Sequence, residues 1–452
     1  MTTSTQSVAR LAGVVLAAAL LAAGTVLAAA SPAVSATGAT TSRVSVASTG
    51  GQARGDSGVP QVSASGRYVA FFSEAANLVP RDTNAVSDVF VRDRLSGTTR
   101  RVSVGADGTQ ANERSFPEAI SADGRYVAFT STASNLVAGD TNGVTDLFVR
   151  DLRAGITQRV SLSSTGQQAD SGTFNFASAI SADGRYVAFT SGASNLVPGD
   201  TNGPFDGDVF LRDRVARTTQ RVSVGAGGRQ LNGSSSVSGV SADGRYVVFS
   251  SFADNAVSGD TNFSADVFVR DRQAQVTQRV SVGTGGRQAS EGDSFGQGIS
   301  ADGRFVFLTS KAANLVDGDT NSATDVFVRD RQAGVTRRES VNTSGGQANG
   351  DSYNASMSSD GRYLAFGSAA TNLVPRDTNG SFDVFVRDRL AGTTRRVSVS
   401  SAGVQSSGDS FASQISADGR HVTFAAQAPN LVTGDTNGAV DVFAHDEFGD
   451  PA

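Results

Sequence analysis

A five-residue phrase returns seven times in this chain at nearly constant spacing, and that period constrains the fold more than any other feature. The phrase reads Ser-Ala-Asp-Gly-Arg in most copies, with its glycine at Gly66, Gly124, Gly184, Gly244, Gly303, Gly361 and Gly419. Successive glycines lie 58, 60, 60, 59, 58 and 58 residues apart. A fixed period of this length means that one supersecondary unit is stacked on copies of itself.

Each unit predicts four strands. In the second copy the first runs over 116–121 and ends at Asp123-Gly124, a tight-hairpin signal because glycine accepts positive φ without penalty. The second strand is expected over 125–131, with Tyr126, Ala128 and Thr130 on one face and Val127 and Phe129 on the other. Both faces are largely apolar, as in a sheet covered on both sides. A loop of about fifteen residues leads to a third strand over 146–152, and a short turn at Arg153-Ala154-Gly155 leads to a fourth over 157–163. No helical period occurs in the unit.

Four-stranded units of this size are the blades of a β-propeller. Fourth-strand copies of the Arg-Val-Ser-Val type start at Arg43, Arg101, Arg159, Arg221, Arg279, Arg338 and Arg396. The first of these precedes every other element, while the last unit stops after its third strand, Asp441 to Asp446. The expected fold is therefore all-β: a seven-bladed propeller of four-stranded antiparallel blades over 37–448. Its N-terminal strand completes the C-terminal blade and removes the free edges, leaving 449–452 as a tail.

The phrase SADGRYVAF followed by DVFVRD resembles the repeat of TolB-type, WD40-like propellers. The resemblance covers nearly all of the chain after residue 36, with alanine where that family usually has proline and without its preceding tryptophan. It implies the propeller alone, without the α/β domain that precedes it in TolB, and carries over no role in envelope translocation.

Residues 1–36 read as an export signal. Arg10 is followed by an apolar run over 11–30 and a small-x-small site at Val34-Ser35-Ala36, so cleavage is expected after Ala36. The destination is then secretion, or the periplasm where an outer membrane exists. The chain has no cysteine, which excludes disulfides and a lipid-modified cysteine. It carries 38 basic and 43 acidic residues, with Lys311 the sole lysine and the arginines interleaved with aspartate. Nucleic-acid binding needs a concentrated positive face, and none is visible.

In an antiparallel blade the second-to-third and fourth-to-first connections emerge together, and here these are the long ones. Binding is expected on that long-loop face or at the central channel, in a monomer. Each second-to-third loop holds Asp-Thr-Asn and a later Asp. The copies are Asp82, Asn84 and Asp88; Asp140, Asn142 and Asp146; Asp200, Asn202 and Asp208; Asp260, Asn262 and Asp266; Asp319, Asn321 and Asp325; Asp377, Asn379 and Asp383; and Asp435, Asn437 and Asp441. Oxygen ligands at this spacing are the material of a calcium site and resemble the calcium loops of integrin-type propellers, although the phrase is shorter. Asx-turns account for the same seven copies. A glutamine recurs in each fourth-to-first connection, from Gln52 to Gln405, where it either reads a polar ligand or satisfies loop backbone. The blade-specific aromatics on this side are Phe176, Phe205, Phe252, Phe263, Tyr353 and Phe382, the candidate ligand-binding residues.

No catalytic residue is assigned. The two histidines, His421 and His445, replace repeat residues in the last blade, near Asp446 and Glu447, where a transition-metal site depends on strand register. The Ser-x-Asp-Gly phrase also resembles the Asp-box of sialidase-type propellers, which is itself a turn. The functional expectation is an exported scaffold for a protein or polymer ligand. The alternatives are an extracellular glycan-binding or glycan-processing propeller, and a calcium-stabilised structural module.

Overall fold

The computed structural model describes residues 38–203 and 206–447, without the side chains of residues 175 and 176. The expected export signal and C-terminal tail lie outside the described residues. Seven four-stranded sheets follow one another along the chain. In the first blade the strands are Ser57–Val62, Tyr68–Ser73, Asp88–Asp93 and Thr98–Arg101, from innermost to outermost. Neighbouring blades pack through their innermost strands, and those of the seventh and first blades, Ser410–Ile415 and Ser57–Val62, also meet. The ring is closed.

Closure uses the N-terminal strand, as expected. Thr40–Arg43 pairs antiparallel with Asp441–Asp446, placing Thr40 opposite Asp446 and Arg43 opposite Phe443. In the second blade the strands are Ser115–Ile120, Tyr126–Ser131, Asp146–Asp151 and Ile156–Arg159. The first three agree with expectation within a residue. The fourth does not: it ends where Arg-Val-Ser-Val begins. Val160 N still donates to the Leu147 carbonyl, but Ser161 turns its hydroxyl onto Asp146 Oδ1 while accepting from the Leu147 amide, so a side chain takes over one bond of the next backbone pair. Leu162 then bridges Gln168 outside the sheet.

The cores lie between blades. Val127, Phe129 and Phe148 of the second blade pack on Ala70, Val89 and Val91 of the first. The opposite face, Ala128, Leu147 and Val149, receives Val187, Phe189 and Phe210 of the third. Large side chains thus meet small ones at each interface, and most blades bury a stacked phenylalanine pair such as Phe129–Phe148, 5.6 Å apart.

Each hairpin is built to dock on the blade before it. Ser121 Oγ accepts from the Tyr126 amide (2.9 Å) and donates to Asp123 (2.6 Å), holding Gly124 at φ +72°. A Cβ on Gly124 would lie 2.2 Å from Tyr68 Cδ2 of the first blade. His421 plays the tyrosine's part against Gly66, which ties the seventh blade to the first. Backbone bonds join these hairpins, from Ala64 N to Ala122 O, from Ala122 N to Ala182 O, and across the closure from Ala417 N to Ala64 O.

Candidate functional site

The long-loop face is where function was expected, and its repeated polar residues are almost entirely engaged with one another. In each blade the two loop aspartates flank the arginine that ends an outer strand. Arg101 lies 3.0 Å from Asp82 and 3.3 Å from Asp88; Arg159 lies 3.0 Å from Asp140 and 2.9 Å from Asp146. Arg43, Arg221, Arg279, Arg338 and Arg396 do the same in the other five. The asparagine turns its amide nitrogen inward: Asn84 Nδ2 donates to Asp88 Oδ2 (3.0 Å) and to the Ala111 carbonyl (2.9 Å). Burial pushes Asp82 and Asp88 above the ordinary carboxylate range despite these partners. A calcium ion would have to compete with a guanidinium for the same oxygens. The sequence pattern showed the carboxylates but not the arginine, which lies 13 to 19 residues farther along the chain in the second blade.

The recurring glutamines are engaged as well. Gln52 accepts from Arg43 Nη1 (2.7 Å) and donates to Thr436 Oγ1 (2.8 Å); Gln168 repeats the pair with Arg159 and Thr141. They satisfy the loops.

On the other face, Asp151 at the end of the third strand is gripped by Arg125 of the hairpin (2.7 Å), which holds its carboxyl down at about 2. Its neighbour Arg150 pairs with no carboxylate; it donates to the Gly105 carbonyl of the preceding blade's connection (3.0 Å) and to Thr157. The expected pairing of these strand charges therefore holds for the aspartates, while the arginines clamp carbonyls, with Arg387 also within 3.8 Å of the Glu339 carboxylate. The two histidines do not converge. His421 is opposite Asp446 and bonds it at 2.6 Å, whereas His445 is opposite Val422 and meets Thr41 at 2.9 Å. Consecutive register positions send the rings to opposite faces. Burial pushes His445 below the ordinary imidazole range.

A cleft of about 880 Å³ opens between the fifth and sixth blades around Glu339, which replaces the repeat's valine. Glu339 is buried, lies 2.8 Å from Arg389 and 3.8 Å from Arg387, and is raised by burial. Its charge is answered internally.

The channel mouth is built from half-exposed side chains. Each innermost strand begins on the long-loop face, where its first amide bonds the preceding loop, as Ser115 N does to Ser87 O and Ser410 N to Phe382 O. The next position holds Phe116, Phe174, Phe295, Tyr353 and Phe411 in five blades. Phe174, Phe295, Tyr353 and Phe411 are 36–43% exposed. Tyr353 stacks on Phe382 at 6.4 Å, and Phe295 meets Phe252 edge-on at 6.4 Å. Three of the six aromatics picked from sequence thus belong to this rim. Phe263 stands apart, 95% exposed on its loop at φ +55°. Phe176 lies in the innermost strand Thr173–Ile180, its side chain undescribed, and Phe205 lies outside the described residues.

Below the rim, a cavity of about 310 Å³ is lined by Val59–Gln61, Gln297, Asn354, Ala355 and Ala412–Gln414, from the first, fifth, sixth and seventh blades. A second, of about 320 Å³, is lined by Ser178, serines of the fourth blade, Phe252, Phe295 and again Gln297. Three lining residues hold left-handed backbone, Val59 at φ +49°, Asn354 at +52° and Ala412 at +55°, each inside a register shift of its strand. A β-branched residue there is strained, and bulges of this kind re-aim side chains. Sequence reasoning missed Phe116, Phe174, Phe295 and Phe411; the available signal was the aromatic directly after the serine or threonine that opens the strand.

No family model and no curated protein matches this chain. Among solved structures, it is similar to an oligogalacturonate lyase in complex with manganese, at 11% identity and TM-score 0.51, covering 91% of this chain and 96% of that one. A prolyl endopeptidase matches at 12% identity and TM-score 0.52, over 88% of this chain and 51% of its own. TolB from Acinetobacter baumannii matches at 15% identity and TM-score 0.39; the match covers 75% of this chain and 62% of TolB. The fold is a seven-bladed β-propeller. At these identities the likeness shows the fold alone, and the partners and reactions of those proteins do not transfer with it.

Proposed function

We propose that this protein is an exported binding scaffold that takes its ligand at the channel mouth of the long-loop face. The observation that carries this reading is an internal comparison of the seven blades. The second strands keep the type Tyr-Val-Ala-Phe and the third strands the type Asp-Val-Phe-Val-Arg-Asp, whereas the innermost strands read SGVPQV, SFPEAI, TFNFASAI, SSVSGV, SFGQGI, SYNASM and SFASQI. The variable strand is the one that lines the channel and presents half-exposed rings. Binding is drawn from such surfaces on a rigid scaffold.

Export is supported by the Arg10 and apolar 11–30 pattern and the small-x-small site. Among the described residues no helix is long and apolar enough to cross a membrane. Two measurements test the reading. N-terminal sequencing of the protein from medium or periplasm should start at Thr37; recovery from the cytoplasm with Met1 intact would remove the exported role. Capture of envelope and medium components by the wild-type chain should be lost in a Tyr353→Ala/Phe411→Ala variant, and capture that survives unchanged would move the ligand elsewhere.

A further inference from the structure

The side chains at the channel mouth narrow the ligand to one chemical class. We infer that it is an uncharged oligosaccharide, held by amides in the channel and stacked on the rim aromatics; this rests on the channel-mouth reading above.

Charge is the first argument. Across the chain 18% of residues are charged, yet the seven innermost strands hold one charged side chain, Glu118. A lining of this kind offers nothing to the phosphates of a nucleic acid or to an acidic polymer.

Amides are the second. Gln61, Asn354 and Gln414, from three adjoining blades, line one cavity, and their side chains make no hydrogen bond to protein among the described residues. Gln297, which lines both cavities, reaches Thr309 only at 3.5 Å. The loop glutamines are bonded to protein by contrast, as Gln52 is to Arg43 and Thr436. An amide carries donors and an acceptor together, which matches the hydroxyl of a sugar, itself both donor and acceptor.

Rings are the third. Tyr353 and Phe411 are half-exposed and directly precede the lining residues Asn354 and Ala412, so each ring starts one residue from the amide-lined cavity along its strand. A sugar ring presents C–H faces to such a platform and hydroxyls at its edge. A polypeptide fits less well. An extended peptide docks by adding to a strand edge, and the edges here are interrupted by the bulges at Val59, Asn354 and Ala412.

The test is calorimetric titration of the full exported chain with cellohexaose, maltohexaose, mannohexaose and chitohexaose, with hexagalacturonate as the charged counter-probe. One neutral hexasaccharide should bind, with little change in affinity between low and high salt. Tyr353→Ala/Phe411→Ala and Gln61→Ala/Gln414→Ala should each weaken it about tenfold or more, while Leu95→Ala, at an exposed residue of the tight-turn face, leaves it unchanged; thermal midpoints confirm that all three fold. No binding by any neutral probe at millimolar concentration, equal binding of hexagalacturonate, or wild-type affinity in both double variants overturns the inference. If no sugar binds but envelope capture still depends on Tyr353 and Phe411, the glycan assignment falls and the channel-mouth reading stands. If capture is also indifferent to those rings, both fall.

Discussion

Replacing Gly124 by alanine should cost the fold far more than replacing Gly143, although both glycines have nearly the same backbone. Their φ values are +72° and +66°. An L-residue in that region costs about 1–2 kcal/mol, and this is all that Gly143→Ala should lose, since nothing lies within 4 Å of its added methyl. At Gly124 the methyl would meet Tyr68 at 2.2 Å from Cδ2 and 2.7 Å from Cγ. Relieving such an overlap adds about 1–3 kcal/mol, for a total of about 2–5 kcal/mol. Urea unfolding followed by far-ultraviolet circular dichroism would read the difference as a lower midpoint at unchanged slope. A Tyr68→Ala background removes the ring and leaves only the Cβ of residue 68, 2.9 Å from the added methyl, so there Gly124→Ala should fall most of the way towards the cost of Gly143→Ala, a coupling of about 1–3 kcal/mol. Equal losses for the two glycines, or no coupling to Tyr68, would refute the docking of hairpin on aromatic as the reason for the repeated glycine.

Three further outcomes follow from the same geometry. Arg159→Met strands Asp140 and Asp146 without their cation and should destabilise by about 3–5 kcal/mol; calcium should then raise the melting temperature of this variant and leave the wild type indifferent to calcium or chelator, whereas a wild-type rise of several degrees would restore the calcium-site reading. Asp151 is held down at about 2 by Arg125, so its contribution is complete above the ordinary carboxylate value and is lost as pH falls through its folded value. The stability gap between wild type and Asp151→Asn should accordingly be full above pH ~5 and close towards pH ~2; a gap that widens on acidification contradicts the pairing. Deleting residues 37–47 exposes the edge of Asp441–Asp446, and the product should aggregate or be cleaved rapidly in limited proteolysis, while a chain as resistant as wild type would show that closure is dispensable.

The fold was legible because the repeat states its own packing rules. Asp123-Gly124 announced a hairpin, Tyr126 to Ser131 announced a strand buried on both faces, and the unmatched strands at the two ends announced closure. The exact end of the outer strand was not legible, because it depends on Ser161 reaching across the sheet to Asp146. The same is true of the loop clusters. Asp140, Asn142 and Asp146 are close in sequence and left a calcium loop and an Asx-turn both open; strand pairing places Arg159 between the two aspartates. Local spacing shows which oxygens gather and does not show what gathers them. His421 and His445 illustrate the other limit: proximity was readable, register was not, and register decided that their rings part.

The channel mouth was only half legible for a related reason. A residue such as Val127 must fit Ala70 of one neighbour, and Gly124 must fit Tyr68, so these positions recur with little change and stand out. The innermost strand has one paired edge and one edge towards the channel, and its side chains near the mouth are half exposed. Fewer packing constraints act on it, so nothing in the repeat forces Phe295 in one blade and Ser236 in another. A position freed from packing can be fixed by a ligand, and its strained backbone at Val59 persists only because the surrounding blade holds it. In a ring of near-identical units, a single bound molecule also meets each blade at a different angle, so a site at the axis needs seven different linings where the blade interfaces need one. On the proposed function, the irregularity of these seven strands is the imprint expected of one ligand on a repeated frame.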